Sequence, residues 1–72
     1  MSWKSKLHKK INGKWNIGDE FTLKEVYKFE DFFEKEYPKN KTVRASIRRN
    51  LQEIRDDGYI KFMDKGVYKR IK

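Results

Sequence analysis

The stretch from Lys41 to Arg70 constrains this chain more than any other, because a basic amphipathic helix, a glycine stop and a short basic hairpin follow one another without a linker. The spacing predicts a helix over 41–57, with Val43, Ile47, Leu51 and Ile54 on one side at intervals of four, four and three. At about 100° per residue the opposite side carries Lys41, Thr42, Ala45, Arg48, Arg49 and Gln52. That outward side meets no acid before Asp56. Gly58 is placed to end the helix, and Tyr59–Met63 and Val67–Ile71 read as two strands joined by Asp64-Lys65-Gly66. In that order these parts predict an α+β winged helix-turn-helix: three helices plus a short antiparallel β-hairpin wing.

Length and composition fit that frame. Seventy-two residues support one core, so residues 1–72 are expected to form a single domain. Eleven aromatic residues supply much apolar area per residue in a chain near the lower size limit for a stable core. Without cysteine, neither a disulfide nor a thiolate metal site can staple it. No apolar run approaches the ~20 residues of a membrane span, and no signal-peptide pattern begins the chain, so a soluble, cytoplasmic protein is expected.

The distribution of charge says more than the net +8. Residues 1–18 hold five lysines and no acid, and residues 19–37 hold seven acids against three lysines. Residues 38–55 then hold six bases against Glu53 alone, and residues 56–72 five bases against three acids. An acidic middle between basic flanks is expected where one element faces away from a polyanion.

In the first segment Trp3, Leu7 and Ile11 form a stripe in a helix expected to stop at Asn12-Gly13. Its lysines suit a DNA-backbone or membrane-surface helix, and its stripe suits a short packing helix with solvated lysines. Thr22 and Glu25 spell a capping box, with Phe21 and Val26 placed as a hydrophobic staple. Val26, Phe29, Phe33 and Tyr37 then predict an inward face for a second helix running to about Glu36, where Pro38 follows. Phe21-Thr22-Leu23 can add a short strand beside the hairpin, and Glu30, Asp31 and Glu34 read as a solvated face. Tyr37-Pro38-Lys39-Asn40 is the turn into the basic helix, with Asn40 or Thr42 as cap and helix N–H groups left free for a phosphate. So short a turn makes the two helices meet steeply.

Catalysis is not expected. The one histidine, His8, stands among lysines, no acid is followed two places later by lysine, and no glycine-rich phosphate loop is present. No metal and no cofactor are expected. The binding chemistry, by contrast, can be assigned by residue type. Lys41, Arg48, Arg49, Lys65 and Lys69 suit phosphates, which position a domain without reading sequence. A groove-facing arginine can take guanine O6 and N7, and Gln52 adenine N6 and N7. Thr42 and Ala45 offer small apolar surface to a methyl on a base edge. Arg44 and Arg55 lie nearer the helix flank, where ion pairs with the acidic helix compete with DNA contacts. Tyr68 reads as core.

The ordered segments Phe21 to Asp31, Tyr37 to Asn40, Val43 to Gln52, Arg55 to Phe62 and Gly66 to Tyr68 strongly resemble one family. Over roughly residues 19–71 the chain is similar to the C-terminal winged-helix domain of DpnI-type (Dam-replacing) methyl-directed restriction endonucleases. The resemblance implies a reader of N6-methyladenine in double-stranded DNA, with fully methylated GATC as target. It also implies a nuclease domain of the PD-(D/E)XK type in the same parent protein, of which these 72 residues hold no counterpart. It fits an excised reader domain or a stand-alone relative equally.

An N6-methyl occupies one of adenine's amino hydrogens and weakens glutamine's bidentate grip, so positive recognition has to come from apolar contact. Burying one methyl is worth about 0.8 kcal/mol, and two give roughly tenfold to twentyfold preference. A larger preference needs a fitted pocket, sought among Thr42, Ala45 and Ser46. The expected binding set is Lys41, Thr42, Arg44, Ala45, Ser46, Arg48, Arg49 and Gln52 in the major groove, with Lys65 and Lys69 of the wing (64–69) on the backbone. A monomer bound to duplex DNA and to no membrane is expected. The alternatives are a methylation-independent winged-helix regulator and a winged-helix protein-interaction module.

Overall fold

A computed structural model describes residues 2–72. The first helix, α1 (Trp3–Lys14), is capped by the Ser2 side chain, which accepts from the Ser5 N–H at 3.1 Å. It does not stop at Asn12-Gly13. The inward stripe continues through Trp15, whose N–H donates to the Ile11 carbonyl at 3.0 Å and whose ring stacks on Phe21 at 4.3 Å. Burying that ring holds the last turn together, so Gly13 sits inside the helix without a positive φ.

The chain then enters β1 (Glu20–Thr22), one residue upstream of the expected strand, and passes directly into α2 (Leu23–Val26). The capping box forms as expected: Glu25 N–H donates to Thr22 Oγ1 at 3.1 Å, and Thr22 N–H donates to Glu25 Oε1 at 3.0 Å. Phe21 and Val26, the staple pair, are both buried. The second helix is not continuous, however. A 3₁₀ turn at Tyr27–Phe29 separates α2 from α3 (Glu30–Glu36). The first part takes its direction from the sheet, since Thr22 pairs with Val67. The second takes its direction from Phe33, which stacks on Trp3 at 3.9 Å. A tighter turn between them absorbs the difference. Val26 and Phe33 end fully buried, with Phe29 and Tyr37 half-buried at the margin.

The basic helix α4 spans Val43–Asp56, not 41–57. Asn40 Oδ1 accepts from both the N–H and the hydroxyl of Thr42, at 2.8 and 3.2 Å. That local turn holds Thr42 at φ −128°, ψ 49°, so Lys41 and Thr42 precede the first helical turn. At the other end Gly58 adopts φ 88° and donates to the Arg55 carbonyl, while Tyr59 N–H reaches the Ile54 carbonyl. This is a Schellman stop, which needs a residue free of Cβ strain at that position.

The hairpin follows, β2 (Ile60–Asp64) and β3 (Val67–Arg70), each beginning or ending one residue away from expectation. The three antiparallel strands lie in the order β1-β3-β2. Phe62 pairs with Tyr68 and Asp64 with Val67, so Met63 is the extra residue of a bulge. Leu23 N–H donates to the Gly66 carbonyl at 2.8 Å, which ties the hairpin turn to the start of α2.

Leu7, Ile11, Val26, Phe33, Ile47, Leu51 and Ile54 are fully excluded from solvent and form one core with Phe21, Ile60 and Tyr68. The first helix is therefore a packing helix. Not every aromatic joins the core: Phe62 remains 46% exposed and Tyr59 39%.

His8 lies between α1 and the hairpin, 4.4 Å from the Tyr59 ring, with its Nε2 buried and unpartnered. Desolvation, then the nearby Arg70 and Lys4 charges, hold its pKa below the ordinary 6.5, against a smaller opposing pull from Asp57. The unfolded chain therefore binds this proton more readily. Stability contributed by neutral His8 is complete above 6.5 and is lost as pH falls below it. Thermal melts at about pH 7.5 and 5.5 should show a drop in Tm that is smaller in His8→Gln. Gly13 offers a second test, since a Cβ there meets nothing within 4 Å. Gly13→Ala should raise the unfolding free energy by about 0.5–1 kcal/mol in urea titration.

Candidate nucleic-acid interface

Burial of Val43, Ile47, Leu51 and Ile54 turns Ala45, Arg49 and Gln52 to the opposite side of α4, with Arg48 beside them, and all four are exposed. Lys41 and Thr42 stand exposed just ahead of the helix. A shallow cleft of about 650 Å³ brings Lys41, Thr42, Arg44 and Ala45 together with Glu30 and Glu34 of α3. On α4 itself the outward side carries no acid up to Gln52, beyond which Glu53 is also exposed, and Glu30 and Glu34 border its Ala45 end.

Two of the expected binding residues are engaged within the fold. Arg44 Nε donates to Glu30 Oε2 at 3.0 Å, and its guanidinium lies 5.1 Å from the Tyr27 ring centre. It ties α4 to the preceding arm, as its flank position suggested. Ser46 is half-buried, and its hydroxyl accepts from Asn40 Nδ2 at 3.1 Å while its carbonyl accepts from Asn50 Nδ2 at 2.7 Å. Ser46 therefore holds the turn that presents Lys41 and Thr42. Arg55 does not pair with the acidic helix; at the last turn of α4 it reaches its neighbour Asp56 at 3.3 Å. There Lys4 of α1 bonds Asp57, a partner that raises the Lys4 pKa.

Among the described residues, no carboxylate oxygen lies within 4 Å of the charged groups of Lys41, Arg48, Arg49, Lys65 or Lys69. Lys65 is exposed at the hairpin turn, whereas Lys69 is half-buried in β3. In register Lys69 lies between Glu20 of β1 and Lys61 of β2. Lys61, exposed and opposite a like charge, was not singled out from the sequence. The period of two along β2 would have placed it across from Lys69 once the pairing register was known. Phe62 and Met63 on the same strand, 46% and 42% exposed, were likewise not marked as surface residues.

A helix whose buried stripe aims unpaired arginines and an amide outward, followed by a three-stranded sheet with a lysine-tipped hairpin, defines a winged helix-turn-helix domain of the DNA-binding class. The comparison with known families agrees. Residues 3–70 match the family model described as the Dam-replacing HTH domain, and the chain belongs to that family. No helix among the described residues is long and apolar enough to cross a membrane.

Charge reversal separates the two kinds of arginine. Arg48→Glu with Arg49→Glu should weaken duplex DNA binding at least about tenfold at roughly 150 mM salt, read by fluorescence anisotropy. Unfolding in urea should leave that variant near wild-type stability. Arg44→Ala should instead cost up to about 1 kcal/mol of stability, because it removes a largely exposed ion pair.

Proposed function

We propose that this chain is one reader domain that binds N6-methyladenine in double-stranded DNA, with GATC methylated on both strands as its target. The single observation carrying this reading is the outward line of α4, where the small Ala45 stands beside Arg49 and Gln52, exposed, with no acid on α4 itself before Glu53. Arginine supplies recognition of guanine, and the amide supplies a contact to an adenine edge. Ala45, with Thr42 ahead of it, leaves room for an apolar knob that a larger side chain would block. The family's Dam-replacing description supports a link to adenine methylation.

In this reading α4 lies in the major groove, with Lys41, Arg48 and Arg49 at its edges and Lys65 and Lys69 of the wing on the backbone. The Arg44 guanidinium stays with Glu30 and stiffens the arm beneath the helix. Chemistry on the DNA belongs to a nuclease domain of the parent protein, and the reader acts as a monomer. Two buried methyls at about 0.8 kcal/mol each give roughly tenfold to twentyfold preference. Up to five phosphate contacts, fewer by one for each arginine that reads a base, give a slope of log K against log salt no steeper than about −4 to −5.

The test is an anisotropy titration at about 150 mM salt with three duplexes: GATC unmethylated, methylated on one strand, and methylated on both. Affinity should rise with each methyl. Equal and steeply salt-dependent affinity for all three would leave a DNA-binding winged helix indifferent to methylation. Absence of binding to any of them would favour a protein-interaction module.

A further inference from the structure

The lysines of α1 do not all dissolve into a solvated face. Between α1 and the α2–α3 arm runs a groove of about 580 Å³, with Phe29 and Phe32 in its floor and Lys6, Lys10 and Lys14 along its rim. These three lysines recur every fourth residue, so their Cα atoms rise about 6 Å apart along one flank of the helix. Lys6 has a carboxylate partner, Glu36, at 3.7 Å. Lys10 and Lys14 have none among the described residues; their ammonium groups stand over aromatic rings instead. Lys10 Nζ lies 3.9 Å from the Phe32 centre, and Lys14 Nζ 5.5 Å from that of Trp15 and 5.8 Å from that of Phe29. Gly13 sits between them in the helix, at a position where a Cβ would meet nothing, so the groove is open there.

This surface is distinct from the outward line of α4. The inward stripe of α1, Leu7 and Ile11, packs in one core with the inward stripe of α4. The groove opens on the flank of α1 that faces the α2–α3 arm, and none of its lining residues belongs to α4. Two half-buried phenyl rings beside the two unpaired lysines, Lys10 and Lys14, match one class of polyanion on both counts. A duplex would use the lysines alone, since its bases are sealed in their stack. An acidic polypeptide would satisfy the cations and leave the flat rings without a stacking partner. A strand with unpaired bases uses both, phosphates on the lysines and bases on the rings.

We propose that this groove is a second nucleic-acid site, which takes single-stranded DNA through Lys10 and Lys14 on the phosphates and Phe32 and Phe29 as stacking surfaces. The ammonium groups exchange a ring for a phosphate as the strand arrives, and a base takes the ring they uncover. The site works independently of methyl reading on α4, so either can fail without the other.

The experiment uses a fluorescein-labelled oligothymidine of about ten residues, which forms no duplex, and the full 72-residue chain. Anisotropy should show saturable binding that Lys10→Glu with Lys14→Glu weakens at least about tenfold. Phe32→Leu keeps the apolar volume and loses the flat face; it should weaken binding about fivefold or more. Should that variant not melt cooperatively, Phe29→Leu replaces it. The α4 variant Arg48→Glu with Arg49→Glu should bind the oligothymidine as wild type does, and a saturating GATC duplex should not displace it. Loss of binding in the α4 variant, or displacement by duplex, would overturn the proposal in favour of one shared surface. Sensitivity to the lysine variant without sensitivity to Phe32→Leu, with polyglutamate competing equally, would overturn it in favour of a general acidic-partner surface. No binding at moderate salt would overturn it outright.

Discussion

Complete burial of the inner stripe of α4 is the constraint on which the rest of this structure depends. Ile47, Leu51 and Ile54 are fully excluded from solvent, and Val43 nearly so. Each such side chain contributes about 1.5–3 kcal/mol on burial, well above the surface ion pairs at up to about 1 kcal/mol each. The helix thus has one rotational setting about its axis. That setting alone decides that Ala45, Arg49 and Gln52 face outward, so the exposed side of α4 is a by-product of where the core pulls. The pairs Arg44–Glu30 and Lys4–Asp57 trim the helix against its neighbours without choosing its orientation.

A second set of contacts joins the helices to the sheet. Trp15 stacks on Phe21, Phe21 on Tyr68, and Phe62 meets Tyr68 edge-on, so one aromatic column runs from the end of α1 across all three strands. Trp15 also carries α1 past its asparagine-glycine pair. At its outer end the column becomes solvent-exposed at Phe62, on the strand that carries the lysine-tipped turn. The same rings that stabilise the core thereby hold the wing in place relative to α2, with help from the Leu23–Gly66 hydrogen bond.

Much of this was legible in the sequence, and for identifiable reasons. The Thr22–Glu25 box, the Gly58 stop and the four-residue apolar intervals of α1 and α4 are local signals, each decided within one or two turns of chain. The same locality explains the errors. Asn40 beside Thr42 delays the start of α4 by two residues through a side-chain hydrogen bond that periodicity does not register. The break at Tyr27–Phe29 comes from two distant partners, Val67 and Trp3, pulling on the two ends of one apolar stripe. For the interface, the outward positions of α4 followed from its inner stripe. The engagement of Ser46 with Asn40 and the facing of Lys61 with Lys69 did not, because each depends on a partner set by packing or register.

By itself the sequence determined the order of the elements and the type of all but the 3₁₀ break at Tyr27–Phe29, the inward side of each long helix, and the concentration of positive charge on α1, α4 and the hairpin. These follow from spacing and composition, which act over a few residues and survive any error in docking. Tertiary structure alone decided which charges remain unpaired. Arg44 is neutralised by a residue fourteen positions away, and Arg48 and Arg49 are not. It alone also set the lysines of α1 over the rings of another helix, making a groove that neither segment contains. Coulomb and stacking interactions act through space between residues the chain separates, so their outcome appears only when the elements have met.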